Sequence, residues 1–115
     1  MTVDQTNVVD FIGVDPRTDK VLLLITDHLE WGDDDEFNKL HMFLLQEKVN
    51  GYLGFIESGD IYKDYPKARG KEAIIRVVAK YPMSHEAGLF FEEIKSFLMN
   101  AGYKIEFELL LEKHQ

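Results

Sequence analysis

Residues 27 to 36 (DHLEWGDDDE) hold six carboxylates, a histidine and the only tryptophan of the chain, with no Lys or Arg among them. Carboxylates at that density suggest a hard cation, and a histidine beside them suggests a metal ligand or an acid–base pair. The spacing supports neither. Asp27 and Gly32 match positions one and six of an EF-hand loop, but Leu29, Trp31 and Asn38 stand at positions three, five and twelve, where oxygen ligands belong. His28 and His41 lie 13 residues apart, and no His-x-x-x-His spacing occurs anywhere. His41 falls on the apolar stripe of a helix, where a hydrogen-bonded structural histidine is expected. No metal site is therefore expected.

Other chemistries also lack their residues. There is no Cys, hence no thiol nucleophile, disulfide or iron–sulfur ligand. Gly51, Gly54 and Gly59 sit within or at the end of a helix instead of forming a phosphate-cradling loop. Ser58 and Ser84 sit at helix ends, where capping accounts for them. Neither a catalytic residue nor a cofactor is expected.

Charge narrows the partners. The 115 residues carry a net charge of −8, of which the acidic window supplies six, so the rest of the chain is nearly balanced. The segment 60–71 leans basic through Lys63, Lys67, Arg69 and Lys71, too weakly to hold a phosphate backbone against a pI near 4.9. Nucleic acid is excluded on this ground. The longest apolar run, Val21 to Ile25, is far short of the ~20 residues that span a bilayer. The first residues have neither the basic region nor the apolar core of a secretory signal. A cytoplasmic protein without membrane contact is the expectation.

The elements that would position these residues follow from periodicity. Residues 8–15 and 20–26 read as a hairpin around Asp15-Pro16-Arg17-Thr18-Asp19. A long helix is predicted over 34–58, with Phe37, His41, Met42, Leu45, Val49, Tyr52, Leu53 and Ile56 in one stripe and Gly59 as its stop. A polar loop over 60–71 leads to a strand at 72–81. Ser84 then caps a second helix over 85–101, and 103–112 alternates as a last strand. The order ββαβαβ predicts an α+β two-layer sandwich, a four-stranded sheet with two helices on one face, as a single domain over 1–115.

The long helix is apolar beyond its core stripe. Leu40, Phe43 and Leu44 lie on flanking or opposite angles, which marks a helix covered on more than one side. Gly51 and Gly54 cost about 1 kcal/mol each relative to Ala, which the close approach of another backbone would offset. Gln46, Asn50 and Glu57 point in similar directions as a polar strip. Lys48 lies at the stripe's edge, where its stem packs and its ammonium snorkels outward. Trp31, between strand and helix, suits a lid over the core edge.

Taken together, Asp27-x-Leu29-x-Trp31, His41, the run Leu45-Gln46-x-Lys48-x-Asn50-x-Tyr52-Leu53-x-Phe55-Ile56-Glu57-Ser58-Gly59 and Tyr65-Pro66 resemble a family of small bacterial proteins of uncharacterised function. The resemblance extends over nearly the whole chain and is densest in the long helix. It implies a bacterial, cytoplasmic protein and brings no activity, cofactor or partner with it.

Two functions fit these features. The leading one is a non-catalytic protein-binding domain using the long helix and Asp33, Asp34 and Asp35 before it. By analogy of size and charge it is immunity-like, neutralising a basic partner; a homodimer through Leu40, Phe43, Leu44, Gly51 and Gly54 is the nested version. The alternative is a small-molecule-binding protein or enzyme with a pocket between sheet and long helix, rimmed by Trp31, His41, Lys48, Tyr52 and Tyr65.

Overall fold

The computed structural model describes residues 11–110. The hairpin forms from β1 (Phe11–Asp15) and β2 (Lys20–Asp27), and residues 8–10 of its expected first strand lie outside the described part. Its turn closes with the Asp19 N–H donating to the Asp15 carbonyl (2.8 Å), and the Asp15 carboxylate accepts from the Arg17 N–H. Asp19 takes a left-handed φ of 60°, which an Asp side chain tolerates better than most.

The long helix α1 (Asp35–Glu57) starts at Asp34, whose carboxylate accepts from the Glu36 and Phe37 N–H groups. Gly59, at φ 84°, ends this stretch of chain by turning left-handed, a conformation glycine adopts freely. The expected polar loop then contains a short helix α2 (Asp60–Asp64) and a 3-10 turn (Pro66–Ala68). Each buries one apolar side chain, Ile61 and Ala68, against the core. The chain continues through β3 (Ala73–Ala79), α3 (His85–Asn100) and β4 (Lys104–Leu109). Ser84 caps α3 through the Ala87 N–H (3.1 Å), and Gly102 follows it at φ 91°.

The sheet runs β1-β2-β3-β4, with β1 antiparallel to β2 and the two later pairs parallel. Both parallel pairs need a crossover, and α1 and α3 supply them. The helix-side face aligns Leu23 with Ile75 and Ile105, and Ile25 with Val77 and Phe107. Leu45, Val49, Leu53 and Ile56 of α1 and Phe91 and Leu98 of α3 close over it. Each such side chain contributes about 1.5–3 kcal/mol by leaving water. The α+β sandwich of sheet and helices is as expected.

On the opposite face Leu22 and Leu24 are half-buried rather than covered, so the unbroken apolar run of β2 serves a strand helix-packed on one side only. Cross-strand ion pairs lie on that face. Arg76 donates to Glu106 through Nε and Nη2 (2.9 and 2.8 Å), and Glu72 bridges Lys20 and Lys104. The Lys20 hydrogen bond and the Lys104 charge hold the Glu72 carboxyl below its ordinary value.

Three positions depart from the expected helix face. Phe37, placed in the stripe, is exposed in the first turn of α1. Lys48 does not snorkel: it is completely buried, with its Nζ 5.6 Å from the centre of the Tyr52 ring. Gly54 faces open space, so no other part of the described chain approaches it closely.

Candidate functional site

At the C-terminal end of β2 the inner face of α1 carries polar side chains where apolar ones would be ordinary. Asn38 and His41 lie one helical turn apart and face the connection between β2 and the helix. The Asn38 amide donates to the Gly32 carbonyl (2.7 Å) and accepts from the Gly32 N–H (3.2 Å), pairing with that residue as a neighbouring strand would. His41 Nε2 reaches both oxygens of Asp27, at 2.7 and 2.8 Å, while Nδ1 faces the Glu30 carbonyl at 3.2 Å. Both ring nitrogens thus face oxygen atoms, Nε2 those of the Asp27 side chain and Nδ1 the Glu30 carbonyl, so the ring is held from two sides. Asp27 also accepts from the Leu29 N–H, and Trp31 lies flat on the histidine, ring centres 3.6 Å apart and 14° from parallel.

This clasp occupies the place where parallel sheets often bind ligands, just beyond the carboxyl end of a strand. Here the polar side chains at the strand end are engaged with one another. His41 is 0% exposed and Asp27 3%, and Trp31 closes the top. Among the described residues no cluster of three or more His, Cys, Asp or Glu could hold a metal ion. The clasp therefore fixes the course of residues 27–38 and the start of α1.

The surface it supports has two components. Leu40 (51% exposed), Phe43 (57%) and Phe37 present apolar side chains on the N-terminal half of α1. Immediately before them come the exposed carboxylates of Glu30, Asp33, Asp34, Asp35 and Glu36. Of the six acids in the window only Asp27 points inward. Apolar side chains and one sign of charge thus share a rigidly backed corner.

The expected site residues are brought together in part. Trp31 and His41 touch, and Asp33, Asp34 and Asp35 lie at the adjoining helix start. Lys48 and Tyr52 are buried beneath α1, the Tyr52 hydroxyl donating to the Leu24 carbonyl (2.6 Å), so a pocket between sheet and long helix is filled by its own intended lining. Gln46 and Asn50 stand apart, on a groove of about 500 Å³ between α1 and α3 that Phe90, Glu93 and Phe97 also line. Leu44 is half-buried against the core, and Gly51 is exposed. Sequence reasoning missed Asn38 and the Asp27–His41 pairing. Two polar side chains three residues apart on an otherwise apolar stripe were the available signal.

No helix among the described residues is long and apolar enough to cross a membrane. No curated protein and no solved structure matches the chain. A family model matches residues 1–111, nearly the whole of the 115-residue sequence. The chain belongs to the family of unknown function DUF6572.

Proposed function

We propose that the chain is a non-catalytic binding module that docks a basic protein partner on the N-terminal half of α1 and the acidic residues before it. The observation that carries this reading is the juxtaposition of Phe37, Leu40 and Phe43, all exposed, with five exposed carboxylates on a segment held from behind by Asn38 and His41. Large exposed apolar side chains supply the energetic centre of an interface, and a one-signed rim steers and selects the partner. Little ordering cost remains at binding, because the clasp has already fixed the backbone.

The sign of the charge also says what the partner is not. From Asp35 to Glu57, Lys39 is the single exposed cation, Lys48 being buried. A second copy laid on this face would bring carboxylates against carboxylates, so the homodimer through Leu40, Phe43 and Leu44 is the less favourable occupant. A cytoplasmic protein that neutralises a basic one, as immunity proteins do, is the role this charge fits by analogy.

The test is capture of partners from a native extract, followed by titration of the purified partner against wild type, Phe43→Ser and Asp33→Asn/Asp35→Asn. The expected result is a stoichiometric basic partner whose affinity falls about tenfold or more with Phe43→Ser. No partner, or one indifferent to both variants, overturns the reading.

A further inference from the structure

The strand β4 is an edge of the sheet, paired only with β3 among the described residues. The Leu110 N–H donates to the Ala79 carbonyl at 2.7 Å. Successive residues of a strand turn their backbone groups to opposite sides. Residues 104, 106, 108 and 110 therefore serve β3, and the N–H and C=O groups of Ile105, Phe107 and Leu109 point to the open edge. Beside that edge a groove of about 890 Å³ runs between β4 and α3, with Met83, Phe91, Met99, Ile105 and Phe107 among its walls. Phe107 meets Phe91 edge-on with ring centres 5.8 Å apart, and Met99 is exposed.

We propose that β4 pairs antiparallel with β4 of a second copy, around a two-fold axis at Glu106, joining two sheets into one. Two-fold pairing requires a surface complementary to itself, and the order Lys104-Ile105-Glu106-Phe107-Glu108 has that property. With Glu106 opposite its own copy, Ile105 stands opposite Phe107 of the second copy, and the reverse. Both residues present their backbone groups to the edge, so these positions exchange the ladder hydrogen bonds. Lys104 then faces Glu108 of the second copy twice, at the closely spaced non-hydrogen-bonded positions where charge pairs act most strongly.

Neighbouring registers fare worse. A shift of two residues one way sets Glu106 against Glu108 twice. The other way sets Lys104 against Glu106, which Arg76 holds through two short hydrogen bonds. The contacts of Arg76 with Glu108 and of Lys104 with Glu72 are longer, at 3.8 and 3.5 Å, and involve exposed side chains that can re-pair. In the proposed register the two Glu106 carboxylates meet at the axis, each held by its own Arg76. On the helix side, Phe107 of each copy lies along the groove of the other, covering Met99 in a wall that also carries Glu92 and Lys95. Charged residues often block such edges; here both signs occur, at positions that match themselves.

The inference is independent of the α1 surface, and one measurement separates them. Sedimentation equilibrium of the full chain over a concentration series should give twice 13.4 kDa at high concentration. Lys104→Glu turns two attractive contacts into repulsive ones and is expected to weaken the dimer about tenfold or more. The exchange Lys104→Glu/Glu108→Lys is expected to restore it, with far-UV circular dichroism confirming that both variants fold. A wild type monomeric to about 1 mM, the weak end of measurable association, overturns the proposal. So does a dimer indifferent to Lys104→Glu, a double variant that stays monomeric, or a dimer that dissociates on Phe43→Glu instead.

Discussion

The N-terminal half of α1 exposes apolar side chains and the outer edge of β4 exposes backbone groups beside the exposed Met99, and their charges suit them to different occupants. On α1 the carboxylates of Asp33, Asp35 and Glu36 flank Leu40 and Phe43 with only Lys39 to offset them. On β4 Lys104 and Glu108 stand symmetrically about Glu106. Charge of one sign excludes a copy of itself and admits a basic partner, whereas an alternating pair admits its own copy. The two regions are also built differently. The α1 surface is held by side chains behind it, through Asn38 and His41. The β4 edge is held by its backbone ladder to β3. Damage behind α1 should therefore leave β4 intact.

The strongest way to break that contrast is His41→Ala. Removing one member of this buried pair leaves the Asp27 side chain enclosed without its main hydrogen-bond partner and empties the space under Trp31, which costs about 3 kcal/mol. Urea denaturation monitored by far-UV circular dichroism measures the loss, and Trp31, the sole tryptophan, reports the release of its stacked neighbour by fluorescence. Hydrogen exchange then locates the damage. Amides of residues 28–38 are expected to open well below the global limit, with those of 104–109 still tracking it. Uniform acceleration over both regions would mean that the clasp and the edge belong to one cooperative unit, and the contrast would fail.

A gentler cut falls on Asn38. Asn38→Ala removes two hydrogen bonds to Gly32, whose backbone groups can turn to water because that residue is exposed. The expected loss is about 1–2 kcal/mol at typical net values per bond. Binding at α1 should weaken through poorer ordering of residues 30–36, while the monomer–dimer equilibrium at β4 stays as in wild type. Equal changes in both would tie the two surfaces together.

How much of this was legible in sequence differs between the regions for the same physical reason. The α1, β3, α3 and β4 segments were readable because their apolar residues repeat at one period over many positions. The short α2 and the 3-10 turn were not, since five and three residues are too few to show a period and Ile61 and Ala68 are isolated among charges. Strand order depends on pairing between distant segments, which no local pattern encodes. His41 was recognisable as a structural histidine from its place on the stripe. Its partner, 14 residues earlier, read as one more acid in an acidic run, although Asp27 continues the inward alternation of Val21, Leu23 and Ile25. Lys48 was misjudged because charge outweighed its angular position, and the helix buried it beside Tyr52.

The smallest effect isolates charge from contact at α1. Asp33 and Asp35 are exposed and, unlike Asp34, take no part in capping the helix. The double variant Asp33→Asn/Asp35→Asn should therefore keep wild-type stability to within about 0.5 kcal/mol. Rim charges act mainly on encounter. Association with the basic partner is expected to slow several-fold at low ionic strength, with dissociation nearly unchanged. At 0.15 M salt, where screening acts over about 8 Å, most of the difference should vanish. Stopped-flow mixing at two salt concentrations separates the rates. A change carried by dissociation and insensitive to salt would place these carboxylates inside the buried contact, and the acidic residues would then have to be regarded as part of its centre, with Leu40 and Phe43 displaced from it.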